Sequence, residues 1–284
     1  MTRAQRLNPG YWGQLLAAHL ILLAYTALAM FPIVLIVINS VKSRRAIFKE
    51  PYDIALPGNE NWDLVGYETV WERGNFPDYF RNSLTVTVGA LVLILLFGSM
   101  AAFALSEYKF PGNVLMGLYL SFGIMIPIRL GTVSLLRLMV DLGLVNTLPA
   151  LILVYTAQGL PLAIFILSAF MKQVPTDLKD AARVDGASEY RIYGMILPLI
   201  RPALGTVAVF NMIPIWNDLW FPLILAPSEE VKTVTLGAQS FLGQFVSDWN
   251  AVLASLTLST LPIVILYIIF SRQLIRGITS GAVK

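Results

Sequence analysis

The sequence predicts an all-α polytopic membrane protein with six transmembrane helices, and three observations carry that prediction. Hydrophobic residues make up 57% of the 284 and charged residues only 13%, whereas a soluble domain usually carries roughly 25% charged residues. Six long stretches are free of Asp, Glu, Lys and Arg, apart from one Asp inside the fifth. None of these runs alternates polar and apolar residues with period two, as the strands of a membrane barrel do.

The runs are 13–41, 82–106, 110–128, 142–171, 202–217 (continuing past Asp218 to 228) and 249–271. Crossing the hydrocarbon layer takes about 20 predominantly apolar helical residues, a length the third and fifth runs meet less cleanly. The first run is far longer than the apolar core of a signal peptide and is read as a retained span. An even number of spans puts both termini on one side. Placing them inside leaves Arg3, Arg6, Lys109, Lys172, Lys179, Arg183, Arg191, Arg201, Arg272, Arg276 and Lys284 on inner segments. Outside the first outer loop only Arg129, Arg137 and Lys232 oppose them, and the positive-inside bias therefore favours cytoplasmic termini. The expected organisation is an inner segment 1–12, a membrane domain 13–276 with an outer loop 42–81 and an inner loop 172–201, and an inner tail 277–284.

The outer loop holds Trp62, Tyr67, Trp71, Phe76, Tyr79 and Phe80, aromatics suited to headgroup depth. It serves either as a plain connection or as a docking surface for an outside partner. Pro127, Pro161, Pro214 and Pro262 fall inside apolar runs. Each removes a backbone donor and bends its helix, in keeping with a bundle around a polar path or with ordinary bundle packing. Trp216, Asn217 and Asp218 form an intramembrane polar cluster. A carboxylate at membrane depth belongs on the bundle interior or a water-filled cavity, so these three are candidate pathway residues. The alternative is an interhelix hydrogen bond or a position near the outer interface.

Other chemistries lack their residues. There is no Cys and one His, His19, so no thiol chemistry, disulfide or metal site is expected. A net charge of +3 with scattered basic residues does not make a nucleic-acid surface. No Gly-Lys pair occurs, and so no phosphate-binding loop; any ATP must be bound elsewhere, and the chain holds no cofactor of its own.

The inner loop is the polar exception. Pro175, Thr176 and Asp177 make a helix start, Ala181 and Ala182 favour helix, and Gly186 is placed to end it in a left-handed conformation. Ser188 is positioned to cap a second short helix, ending or kinking near Pro198. Helix, sharp turn, helix is more than a connection of about 2–8 residues requires. A surface-lying amphipathic segment and a handle gripped by a partner are both open on pattern alone.

The stretch "DAARVDGASEYRIYGMILP" resembles the EAA loop of bacterial ABC-importer permeases, with Asp for Glu at its first position. One residue fewer than the pattern expects separates Gly186 from Leu197-Pro198. Such a deletion rotates the remainder of a helix by about 100°. "YFRNSLTVT", "AFALSEYKFPG", "LPLAIFILSAFM", "WNDLWFPLIL" and "GITSGAVK" extend the resemblance, over nearly the whole chain, to the smaller permease subunit of maltose-transporter-like carbohydrate importers. The resemblance implies a type I ABC-importer permease fold in the bacterial cytoplasmic (inner) membrane. It implies ATPase-coupling residues at Asp180, Ala181, Ala182, Asp185, Gly186, Ile196, Leu197 and Pro198, and tail contacts with the ATPase at Gly281, Ala282, Val283 and Lys284. It also implies a second homologous permease subunit, two ATPase subunits that bind ATP and Mg, an extracytoplasmic substrate-binding protein and a sugar-type substrate. The competing class is an ion-gradient-driven secondary transporter, which would want several ionisable residues within the membrane where only Asp218 stands out.

Overall fold

The computed structural model describes residues 9–242 and 248–282, the side chains at 9–11, 73, 266 and 269–282 excepted. Among the described residues the regular structure is helical, with one isolated antiparallel bridge between Lys42 and Trp62. The chain divides into two compact units, residues 1–74 with 241–258 and residues 75–240 with 259–284.

In the first unit, α1 (Pro9–Asn39) is followed by the short helices α2 (Arg44–Lys49) and α3 (Val65–Glu68). An apolar stretch of α1 has no buried residue, which leaves its surface to lipid or to another chain. His19 bonds the Leu15 carbonyl one turn back on the same helix. The loop after α1 is tied internally: buried Lys42 donates to the Glu50 carbonyl at 2.7 Å, and Asn250 Nδ2 donates to the Lys42 carbonyl at 2.7 Å. Trp71 is exposed. Phe76, Tyr79 and Phe80 are not loop residues, because the next helix already begins at Phe76.

In the second unit, α4 (Phe76–Glu107) and α7 (Leu148–Met171) are the long central pair. Between them lie α5 (Asn113–Phe122), a 3₁₀ turn at Ile128–Gly131 and α6 (Thr132–Asp141). The third apolar run therefore yields a helix of 10 residues rather than a full span, and Pro127 stands before the 3₁₀ turn, outside any helix. After α7 come α8 (Thr176–Val184), α9 (Glu189–Leu199), α10 (Arg201–Asn217), α11 (Trp220–Leu225) and α12 (Val234–Gln239). Helix α13 (Trp249–Ala282) closes the chain, continuing through the stretch expected to be a tail. Among the described residues three helices, α1, α4 and α7, are long and apolar enough to cross a membrane. A fourth span is possible if α9 and α10, bent by 75° at Ile200, count as one.

Lipid tails are as apolar as leucine, so helices in a bilayer associate through close packing rather than through exclusion of water. Small residues make that approach possible here. A methyl on Gly98 of α4 would sit 2.9 Å from Ala163 Cβ on α7, and one on Gly89 would sit 2.9 Å from Ile152. One on Gly159 of α7 would overlap Ile94 and reach Asn211 Oδ1 of α10 at 2.5 Å. Around this seam lies the buried cluster of Ile94, Leu151, Val154, Leu167, Met171 and Val207.

Gly159→Ala is expected to overpack the seam and remove about 1–3 kcal/mol of stability. Gly117→Ala, with nothing within 4 Å of the added methyl, should be neutral or gain up to about 1 kcal/mol from helix propensity. Thermal unfolding of the detergent-purified protein measures both, and equal behaviour of the two variants would contradict the packing assignment.

Candidate functional site

Between α7 and α10 the chain forms a helical hairpin. The α8 helix opens at Thr176 with Pro175 at the cap position, one residue earlier than a Thr176 cap would give. It ends at Val184, and Gly186 comes two residues later with φ +76°. The turn is closed by two backbone bonds, Ala187 N–H to the Ala182 carbonyl at 2.9 Å and Gly186 N–H to the Arg183 carbonyl at 3.0 Å. This is the paired pattern of a glycine-terminated helix. Ser188 stands at the start of α9, where its carbonyl, not its hydroxyl, receives the first helical N–H groups, those of Arg191 and Ile192. The segment one residue shorter than the EAA pattern is one regular helix, with Ile192 and Ile196 buried four residues apart on the same face.

The coupling residues expected from sequence sort by exposure. Asp180, Ala181, Asp185 and Gly186 are exposed at the hairpin tip, and Pro198 is exposed at its far end. Ile196 is buried, while Ala182 and Leu197 pack against the core. Around the tip stand two solvent-facing side chains, Val184 at 88% and Tyr190 at 84% exposure. Apolar groups displayed on a polar hairpin fit contact with another surface. Gly281 and Ala282 lie on the last turn of α13, and Val283 and Lys284 lie outside the described residues.

What holds the hairpin is a charge cluster that the motifs in the sequence do not assign. Glu107, the last residue of α4, accepts from Lys179 Nζ at 2.6 Å and from Arg183 Nη2 at 2.6 Å. The Lys179 and Glu107 side chains are only 6% and 8% exposed. Arg183 also bridges Asp180 at 3.0 Å and Glu189 at 3.1 Å, which joins α8 to α9 across the turn. Its bond to Glu189, then that to Glu107, raises the guanidinium pKa further and keeps it charged. About one turn further along α9, the Tyr193 hydroxyl meets Ser99 Oγ of α4 at 2.7 Å and its ring packs edge-on against Phe103. Two signals in the sequence point to this cluster: an acid that ends a 25-residue uncharged run, and two cations four residues apart on one helix face.

Trp216, Asn217 and Asp218 behave differently. Trp216 is buried, its indole N–H donating to the Ser259 carbonyl at 3.0 Å and its ring edge-on to Phe80. Asn217 is exposed and bonds the Ile213 carbonyl of its own helix. Asp218 breaks the fifth run between α10 and α11 and is not the isolated acid that the sequence suggests. Its Oδ1 accepts from Arg129 Nη2 at 3.0 Å and Trp220 N at 3.3 Å, and its Oδ2 accepts from the Tyr155 hydroxyl at 2.9 Å and Phe221 N at 3.1 Å. Beside this cluster lie cavities of about 640 and 410 Å³. Pro127, Pro161 and Pro214 all line the larger one, whose wall is mostly apolar with Arg129, Tyr155, Gln158 and Asn211 set into it.

An apolar bundle carrying an outward-displayed helical hairpin is an arrangement that a family comparison decides. Residues 79–280 match the family described as the binding-protein-dependent transport system inner membrane component. The chain belongs to this family. It is 31% identical over 270 residues to the diacetylchitobiose uptake system permease protein NgcG of Streptomyces coelicolor, covering 94% of this chain and 88% of that one. It is 38% identical over 269 residues to the putative ABC transporter permease protein ORF2 of a Caldicellulosiruptor species, covering 93% and 94%. The fold is that of a chain in the crystal structure of a bacterial ABC transporter that imports the acidic polysaccharide alginate, with a TM-score of 0.75, 22% identity and coverage of 96% and 98%. This permease is thus an inner-membrane component of an ABC transporter and not an enzyme by itself. Membership implies ATPase and substrate-binding-protein partners, with nucleotide bound by the ATPases.

Glu107→Gln strips the counter-charge from buried Lys179, a loss of about 3–5 kcal/mol for one partner of a buried pair. The variant permease should melt earlier, and adding Lys179→Met should restore most of the loss. If the two losses simply add across the double-mutant cycle, the residues are not coupled.

Proposed function

We propose that this permease is one of two homologous membrane subunits of a bacterial ATP-driven importer for a sugar or sugar derivative, and that it converts closure of an ATPase pair into alternating access. The observation that carries this reading is the α8–α9 hairpin: an exposed tip on a base bonded to the end of α4. The tip residues Asp180, Ala181, Asp185 and Gly186 receive the ATPase, with Ala182 beneath them. Ile196, Leu197 and Pro198 belong to the shaft that passes its displacement into the bundle. Gly281, Ala282, Val283 and Lys284 supply a second contact with the ATPase.

In the assembled complex the chain makes six crossings with both termini in the cytoplasm. The first, third and sixth of these draw on contacts with lipid and the second permease subunit. Residues 42–81 form the outer loop and 172–201 the coupling loop. ATP and Mg bind to the two ATPase subunits, and an extracytoplasmic binding protein delivers the substrate. The diacetylchitobiose cargo of a relative supports a saccharide, and so does a cavity that mixes amides with aromatic rings.

Gly186→Val tests the coupling role. The site has open space around an added side chain, so the change acts through the backbone. The left-handed conformation costs an L-residue about 1–2 kcal/mol, and a β-branched one tolerates it worse. The expected result in proteoliposomes is normal insertion with several-fold less uptake per ATP hydrolysed. Normal transport at normal abundance would end the coupling assignment. Uptake that persists when the proton gradient is collapsed, with ATP supplied, is also expected; loss of uptake under those conditions would favour an ion-driven mechanism.

A further inference from the structure

The two members of the Arg129–Asp218 pair differ in what they have left to offer. A carboxylate has roughly four acceptor sites, and Asp218 fills them with four donors of this chain: Arg129 Nη2, Trp220 N, the Tyr155 hydroxyl and Phe221 N. Its side chain is 7% exposed. A substrate hydroxyl could bind it only by displacing one of these donors. Arg129 is the opposite case. A guanidinium carries five N–H donors and no acceptor; one is spent on Asp218, and the side chain is 65% exposed.

Its position matters as much as its capacity. Arg129 lines both the larger cavity, with Gln158 and Phe210, and the smaller one, with Asn217 and Trp220. Its backbone is set by Thr132, whose hydroxyl donates to the Arg129 carbonyl at 2.5 Å and accepts the Trp220 indole N–H at 3.0 Å. Phe210, 45% exposed, lines the larger cavity and Trp220, 43% exposed, the smaller one. Exposed Gln158 and Asn217 are amides, able to exchange both senses of hydrogen bond with hydroxyls.

We propose that Arg129, not Asp218, is the substrate-contacting residue of this cluster, and that the site it forms with Gln158, Asn217, Phe210 and Trp220 takes an uncharged, hydroxyl-rich ring compound. The pairing with Asp218 cancels the guanidinium charge while leaving its fork of donors, so the site binds oxygen acceptors without demanding an anion. The rings stack on the C–H faces of a saccharide. Asp218 is a positioning residue: it aims the guanidinium and starts α11 through the N–H groups of Trp220 and Phe221. This inference rests on the sugar-importer reading and adds to it the electrical class of the cargo and the residue that reads it.

The test uses the full transporter, assembled with its partner subunits and arrested with a non-hydrolysable ATP analogue so that solute binds to the membrane subunits. The neutral probes are radiolabelled diacetylchitobiose and raffinose, and the acidic probe is digalacturonate. The wild-type complex should bind at least one neutral probe, and more tightly than digalacturonate. At equal amounts of assembled complex, Arg129→Gln should raise the dissociation constant of that neutral probe about tenfold or more, as loss of a hydrogen bond to a charged group does. Arg129→Lys should recover part of it. Asp218→Asn, which leaves the guanidinium charge uncompensated, should shift preference several-fold towards digalacturonate. If no saccharide binds the wild type, the importer reading falls and this inference falls with it. If a neutral probe binds the wild type and Arg129→Gln leaves its constant within twofold, this inference alone falls. Tighter wild-type binding of digalacturonate than of either neutral probe overturns the uncharged class.

Discussion

The carboxylate of Glu107 is the point on which the arrangement depends. It sits at the end of the long apolar helix α4 and holds two cations from α8, one of them slightly more buried than itself. Removing two charges from water is expensive, and their attraction at close range offsets that cost only with good geometry. Such a pair contributes little net stability over an apolar substitute. What it contributes is position, since neither charge can leave the other without a large penalty. A hairpin joined to α4 by greasy contacts alone could slide or roll; a hairpin fixed by a buried ion pair moves with α4 or not at all. Arg183 extends the constraint across the Gly186 turn by bonding Glu189, so α8 and α9 are tied to each other as well as to the bundle.

The second buried acid, Asp218, solves the same problem with different partners. Glu107 is neutralised by two cations, whereas Asp218 takes one cation, one phenol and two backbone N–H groups. Both acids stand where a helix ends, and both use the interruption. Glu107 terminates α4 and recruits α8 from outside the bundle. Asp218 falls in the gap between α10 and α11 and joins Arg129, Tyr155 of α7 and the first turn of α11. Where regular structure breaks between α10 and α11, a saturated carboxylate satisfies the backbone N–H groups of Trp220 and Phe221.

The sequence made the polar hairpin legible because its signals are local. Pro175, the alanines, Gly186 and Ser188 each act within one turn of the chain, and the two helices lie within a residue of where those signals put them. Long apolar helices α1, α4 and α7 were legible from run length alone. The third run was not: 110–128 has the composition of a span, yet Gly123 and Pro127 break it, and Gly123 abuts the Pro161 ring of α7 so closely that no side chain fits there. That contact is non-local and leaves no periodic trace. The same holds for both ion clusters. Glu107 and Lys179 are 72 residues apart and Arg129 and Asp218 are 89 apart, so Asp218 looked isolated until the fold brought Arg129 to it.

The seam between α4 and α7 sets how the base of the hairpin connects to the interior. Glycine and alanine at 98, 159 and 163 bring the backbones of the two helices close enough that an added methyl would collide. Close-packed interiors transmit displacement because they have no slack to absorb it. Under the proposed coupling role, a displacement of α8 would pass to α4 through Glu107 and from α4 to α7 along the seam. Tyr155 of α7 bonds Asp218, and Asp218 holds Arg129 at the wall of both cavities. The 75° bend at Ile200 separates the direction of α9 from that of α10. Two buried carboxylates and a tight helix seam thus connect the exposed hairpin to the donors that face the cavities.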